Sequence, residues 1–284
     1  MDYALVFCRF VHYAMVFLVF GSVLFRHILG RSEPIAFSSL DRCLLPGYRT
    51  LACLIMLGAF AWLLLTAASL EDDWRAALDL SVIAAVLMET YFGHVWCWHL
   101  LCCLGLLLSF VFNLRQFRLP LSAAVVATLA PVGHVAMFSG WEGLALTLNQ
   151  AVHLLCAGAW FGGLLWLCAV LYLTSSFTWR MLQRFSYIGY GLVAGVLGTG
   201  LLNVWALTGS WPDPRTSTFG QVLTIKLALV GCMLLLAILN RSILATRSQR
   251  QLLMLRRSVV IEWCCGLAAV MAVALLGTLP PMAT

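Results

Sequence analysis

Residues 143–179 read GLALTLNQAVHLLCAGAWFGGLLWLCAVLYLTSSFTW, without one charged side chain. A helix needs roughly 20 apolar residues to cross ~30 Å of hydrocarbon, and this stretch exceeds that length. Working outward, further uncharged runs cover 10–25, 50–70, 94–114, 119–141 and 185–212. Two more, 219–240 and 258–279, hold one charge each, Lys226 and Glu262. Of the 284 residues 63% are hydrophobic and 10% charged, whereas a soluble domain runs near half apolar and about a quarter charged. An ordinary water-soluble enzyme is excluded. P-loop, dinucleotide-binding, HExxH and GxSxG motifs are missing from the sequence, so no enzymatic activity is expected.

The pattern predicts an all-α polytopic membrane bundle forming a single integral membrane domain, 1–284. Its eight transmembrane helices are expected at about 4–26, 48–70, 93–114, 119–139, 147–174, 184–208, 219–242 and 257–279. Residues 74–91 are apolar at helical spacing, but the run between Asp79 and Glu89 is too short to span. They read as an interfacial helix. The first helix is not expected to be a cleaved signal peptide, because it lacks a basic leader and stays apolar to Phe25.

Net charge is +6, yet the positive charges alternate by loop instead of forming a patch. Thirteen of the seventeen basic residues lie in the loops at 26–49, 115–118, 180–184 and 241–257. Basic loops face the cytoplasm, which places the N- and C-termini outside it. The partner implied is the lipid bilayer and not nucleic acid. The two halves also share wording. Val11-His12, Phe20-Gly21 and Leu24 recur as Val152-His153, Phe161-Gly162 and Leu165. Four helices per half make a 4+4 parallel pseudo-repeat, an arrangement known among transporters.

Ionisable groups within spans are costly and are functional candidates. Depth counting puts His12, His94, His99, His134 and His153 near the extracytoplasmic face, on four different helices. Soft atoms flank them at helical spacing, in Cys8/His12, His94/Cys97, His134/Met137 and His153/Cys156. Imidazole with sulfur points to a soft or borderline transition metal. The metal-ligand candidates are His12, His94, His134, His153 and Met137. Lys226, the only lysine in the sequence, Glu262, Asn203 and Arg9 are candidates for a transport path or its gating. Arg9 is expected to meet an outer carboxylate such as Glu89 or Glu142.

At these residues the sequence resembles the CopD family (copper resistance protein D) of inner-membrane copper proteins. The resemblance rests on Arg9-Phe10-x-His12, Gly133-His134, the block from His153 to Leu164, Gly200-x-x-Asn203, Phe219-Gly220 through Lys226, and Glu262-Trp263. It implies a multi-pass protein of the bacterial inner membrane, eight membrane helices, and copper, as Cu(I) or Cu(II), moved through a histidine-lined site near the periplasmic face. It also implies a CopC-like periplasmic copper carrier, here expected as a separate chain. Two other readings stay open at the level of sequence, a b-type haem-binding redox membrane protein and a non-transporting copper-binding assembly subunit.

Overall fold

The computed structural model describes residues 2–30, 37–173, 179–209, 217–246 and 249–280. Of the basic residues used in the loop reading, Arg31 and Arg247 lie outside them. The described chain is helical. Its elements are α1 (Asp2–Gly30), α2 (Ser38–Glu71), α3 (Leu80–Glu89), α4 (Tyr91–Val111), α5 (Arg115–Ala127), α6 (Gly140–Leu173), α7 (Trp179–Thr208), α8 (Thr218–Thr246) and α9 (Gln249–Leu276). Seven of them, all but α3 and α5, are long and apolar enough to cross a membrane.

The helix expected over 119–139 is corrected. α5 has only 13 residues, about 20 Å at 1.5 Å per residue. Past it come Pro131, which has no N–H to continue a helix, and Gly133 at φ 119, open to glycine alone. His134 therefore sits on a short 3-10 turn, His134–Met137, and not on a transmembrane helix. α2 instead begins ten residues earlier than the apolar run implied. Arg26 clamps Asp41 through two 2.6 Å bonds, and an acidic residue in a first turn complements the helix dipole. The interfacial stretch is a 3-10 turn, Trp74–Leu78, followed by α3. Asp79 caps α3 by accepting from the Ser81 amide (2.8 Å) and hydroxyl (2.6 Å), and those donors hold its carboxyl below the usual carboxylate range.

The core of the bundle is the crossing of α1 and α6. A Cβ on Gly21 would lie 2.5 Å from the Gly158 carbonyl oxygen and 2.7 Å from Gly162 Cα, and one on Gly162 would lie 2.2 Å from the Phe17 carbonyl oxygen. Ser22 Oγ adds a 3.1 Å bond to the Gly162 carbonyl. Small residues permit this approach where packing, not water exclusion, drives association. Gly162→Ala is expected to cost about 1–3 kcal/mol, the usual penalty of overpacking. Gly189→Ala, where a Cβ meets nothing within 4 Å, should leave stability unchanged. Thermal unfolding of both variants in detergent checks this, and equal midpoints would refute the crossing.

Candidate functional site

α6, α7, α8 and α9 surround a cavity of about 200 Å³ that α1 and the turn at His134 close on the remaining side. It gathers five of the residues singled out in the sequence: Arg9, His134, His153, Asn203 and Lys226. His153 comes from α6, and its Nδ1 lies 3.0 Å from Thr199 Oγ1 on α7. The Thr199 hydroxyl donates to the Gly195 carbonyl, so it accepts from His153 Nδ1–H and leaves Nε2 as the free base. Gly200 makes room for the ring, since a Cβ there would stand 3.2 Å from His153 Cε1. His134 Nε2 donates to the Leu276 carbonyl (2.9 Å), and its ring meets Phe219 edge-on at 5.8 Å. Asn203 joins α7 to α6, accepting from Asn149 Nδ2 (2.9 Å) and donating to Gln150 Oε1 (2.7 Å). Lys226 lines the same cavity as His153. No aspartate or glutamate lines this cavity among the described residues.

Arg9 does not meet the carboxylate expected for it. Its guanidinium donates to the Gly277 carbonyl (2.9 Å) just past α9 and lies 5.1 Å from the Trp62 ring centroid. Glu89 ends α3 and Glu142 lies in the first turn of α6, and the guanidinium is held by the Gly277 carbonyl instead.

His12 faces away from that cavity. Its Nε2 is 2.9 Å from Nε2 of His99 on α4, and both residues are fully buried. His99 repeats the arrangement seen at His153. Its Nδ1 lies 2.8 Å from Thr128 Oγ1, whose hydroxyl donates to the Val125 carbonyl (3.0 Å), so His99 Nε2 is again the free base. His12 Nε2–H then donates to it, and His12 Nδ1 is left buried without a partner. Cys103 Sγ stands 3.5 Å from His99 Nε2. Trp96 stacks on His99 at 4.5 Å and Trp62 meets His12 edge-on at 5.8 Å. Trp62 also touches Arg9 and Tyr13, both lining residues of the cavity, and so links the pair to the cavity wall.

The remaining candidates are dispersed. His94 is exposed and donates to the Met88 carbonyl (2.9 Å). Met137 is 69% exposed. Glu262 is buried in α9, accepting from Trp160 Nε1 (3.0 Å) and Asn240 Nδ2 (2.9 Å). Cys8 points at the Gly58 carbonyl, Cys97 is exposed, and Cys156 packs on Gly195. Among the described residues no three His, Cys, Asp or Glu side chains form a metal cage. Cys103, Thr128 and Thr199 are residues that sequence reasoning passed over, while His99 was placed in the histidine layer but not among the ligand candidates. The His99/Cys103 spacing of four is the same signal that was read at Cys8/His12. Nothing local marks the two threonines.

Comparison with known proteins follows the same division of the chain. Residues 1–144 match the family described as copper resistance protein D-like, N-terminal domain, and residues 179–276 match copper resistance protein D. The chain is 31% identical to inner membrane protein YebZ of Escherichia coli, over 96% of this chain and 97% of that one. It is 28% identical to copper transport protein CutJ of Bacillus subtilis, over 76% of this chain and 42% of that one. Copper resistance protein D of Pseudomonas syringae is 27% identical, over 77% of each. No solved structure matches. Seven spanning-length apolar helices, with an inner-membrane relative matched almost end to end, make this a multi-pass protein of the bacterial inner membrane. With both of its characteristic regions present, the chain belongs to the copper resistance protein D family.

Proposed function

We propose that this protein carries copper inward across the membrane from the periplasmic side, receiving it in the cavity lined by His134 and His153. The observation that carries this reading is the orientation of His153. Its Nδ1 proton is committed to Thr199 and its Nε2 lone pair is left free, as in metal-binding histidines whose second nitrogen donates to an outer partner. Neutral imidazole suits copper in either oxidation state. His12 and His99 form a second, buried station beyond Trp62, with His99 held by Thr128 in the same manner. Asn203 keeps α6 and α7 in register beside the cavity. Lys226 supplies positive charge that sets how tightly a cation is held.

In this reading both termini are periplasmic. α5 and the turn at His134 together make the eighth crossing, a broken helix of the kind that lines transporter sites. The α1–α6 contact, where Phe20-Gly21 meets Phe161-Gly162, is the axis of a 4+4 arrangement. A separate CopC-like carrier delivers the metal. Copper uptake by proteoliposomes of known orientation tests the site. His153→Ala is expected to lower uptake at least tenfold. Thr199→Val, which keeps the shape and removes only the Nδ1 partner, should weaken copper binding about ten- to hundredfold, the usual cost of losing an outer-shell partner. Uptake unchanged in both variants would remove His153 from the path.

A further inference from the structure

A second cavity, of about 230 Å³, lies among α6, α7, α8 and α9 and contains Glu262 and Asn240. The two cavities follow one another along the same four helices. On α8 the histidine cavity is lined as far as Met233 and the glutamate cavity begins at Leu234. On α9 the first begins at Gly266 and the second ends at Glu262. Among the described residues a single side chain lines both, Trp160 of α6. It is 7% exposed, and its indole N–H is bonded to Glu262 Oε1. The other carboxylate oxygen is held by Asn240 on α8.

We propose that Trp160 is the partition between these two cavities, latched shut by Glu262, and that copper passes from one to the other when its ring swings aside. The proposal rests on the transport reading above. A carrier working by alternating access cannot leave its two sides joined, so a barrier must stand between the cavities. The indole is the group found there. A buried carboxylate within a membrane is costly unless it has a task. Here it holds the barrier by one oxygen while standing in the next cavity as an acceptor for an arriving cation. Asn240 Oδ1 beside it is buried and has no partner, which adds a second oxygen on that side. The charge layout gives the direction of passage. Arg9 and Lys226 line the first cavity without a carboxylate, whereas in the second Glu262 offsets the charge of Arg241.

The test uses full-length protein in oriented vesicles carrying Leu234→Cys, which lines the glutamate cavity. A small membrane-impermeant thiosulfonate is added to one face at a time. Modification is read at position 234 by peptide mass, because the chain has eleven native cysteines. With Trp160 present, reaction is expected from one face only. Trp160→Ala should raise the rate from the other face at least tenfold, with the first face unchanged as the sign that the variant is folded. Trp160→Phe keeps the ring and loses the N–H, and should raise it by less; this variant carries the test should the alanine variant not fold. Glu262→Gln still offers an oxygen to the indole and should remain one-faced. The proposal is overturned if neither Trp160 variant changes the far-face rate, or if the parent reacts equally from both faces. Labelling requires no copper, so a protein that passes this test yet moves no copper would refute the transport reading alone.

Discussion

Lys226→Met is expected to tighten copper binding in the histidine cavity by about ten- to thirtyfold, while Lys226→Arg leaves it unchanged. Two unit charges roughly 8 Å apart repel by about 2 kcal/mol at an effective dielectric of about 20, and 1.4 kcal/mol is a factor of ten in affinity. Lys226 and Arg9 line the cavity without a carboxylate among the described lining residues to offset them, so a bound copper ion meets this repulsion directly. Arg9 is held in place by a backbone carbonyl and by Trp62 and keeps its charge, so removing Lys226 lowers the repulsion without abolishing it. Release is the corollary, since a cation held less tightly leaves sooner. Competition against a copper chelator of known affinity measures the change. Equal affinity in the methionine variant would show that Lys226 only extends its charge to the membrane surface, as long basic side chains do.

His99→Leu is expected to remove one copper ion from the loaded protein while the ion at His153 remains. Leucine fills much of the space of the imidazole and takes away both ring nitrogens, so the measurement reads ligation more than packing. The site it disables has unusual chemistry for a membrane interior. Its two imidazole nitrogens are 2.9 Å apart, with a thiol 3.5 Å from one of them and tryptophans on two sides. When a metal replaces the shared proton, that proton has a place to go, because His12 Nδ1 is buried and unpartnered. The ring can change tautomer without leaving its packing. Elemental analysis of Cu(I)-loaded wild type and variant gives the stoichiometry, and an equal copper content would exclude the pair as a station.

Much of this was legible along the chain. The interval between charges foretold α1, α4, α6, α7 and α8 to within a turn or two at most ends, because in lipid the backbone must satisfy itself and apolar length decides what can span. α2 and α9 escaped that rule at their first turns. Charged residues continue those helices beyond the apolar run, and in α2 the Arg26–Asp41 pair holds the extension to α1. Position 134 failed for the opposite reason. Its surroundings are apolar enough for a helix, but Pro131 and Gly133 impose a backbone that hydropathy does not register.

The sequence by itself determined that this is a helical membrane protein and to which family it belongs, and it supplied a set of candidate side chains. Only the tertiary structure decided which of those side chains meet. Helical periodicity fixes a residue's direction about its own axis and says nothing about which helix lies in that direction. His12 and His153 stand in similar sequence contexts, yet one faces His99 on α4 and the other faces Thr199 on α7. The threonines that orient the imidazoles stand 29 and 46 residues away from them in the chain. Trp160 comes to divide two cavities because the α1–α6 glycine contact sets where α6 runs, and α7, α8 and α9 pack around that line. Such contacts arise from the order of helices in the bundle, and that order is chosen by packing between surfaces distant in sequence.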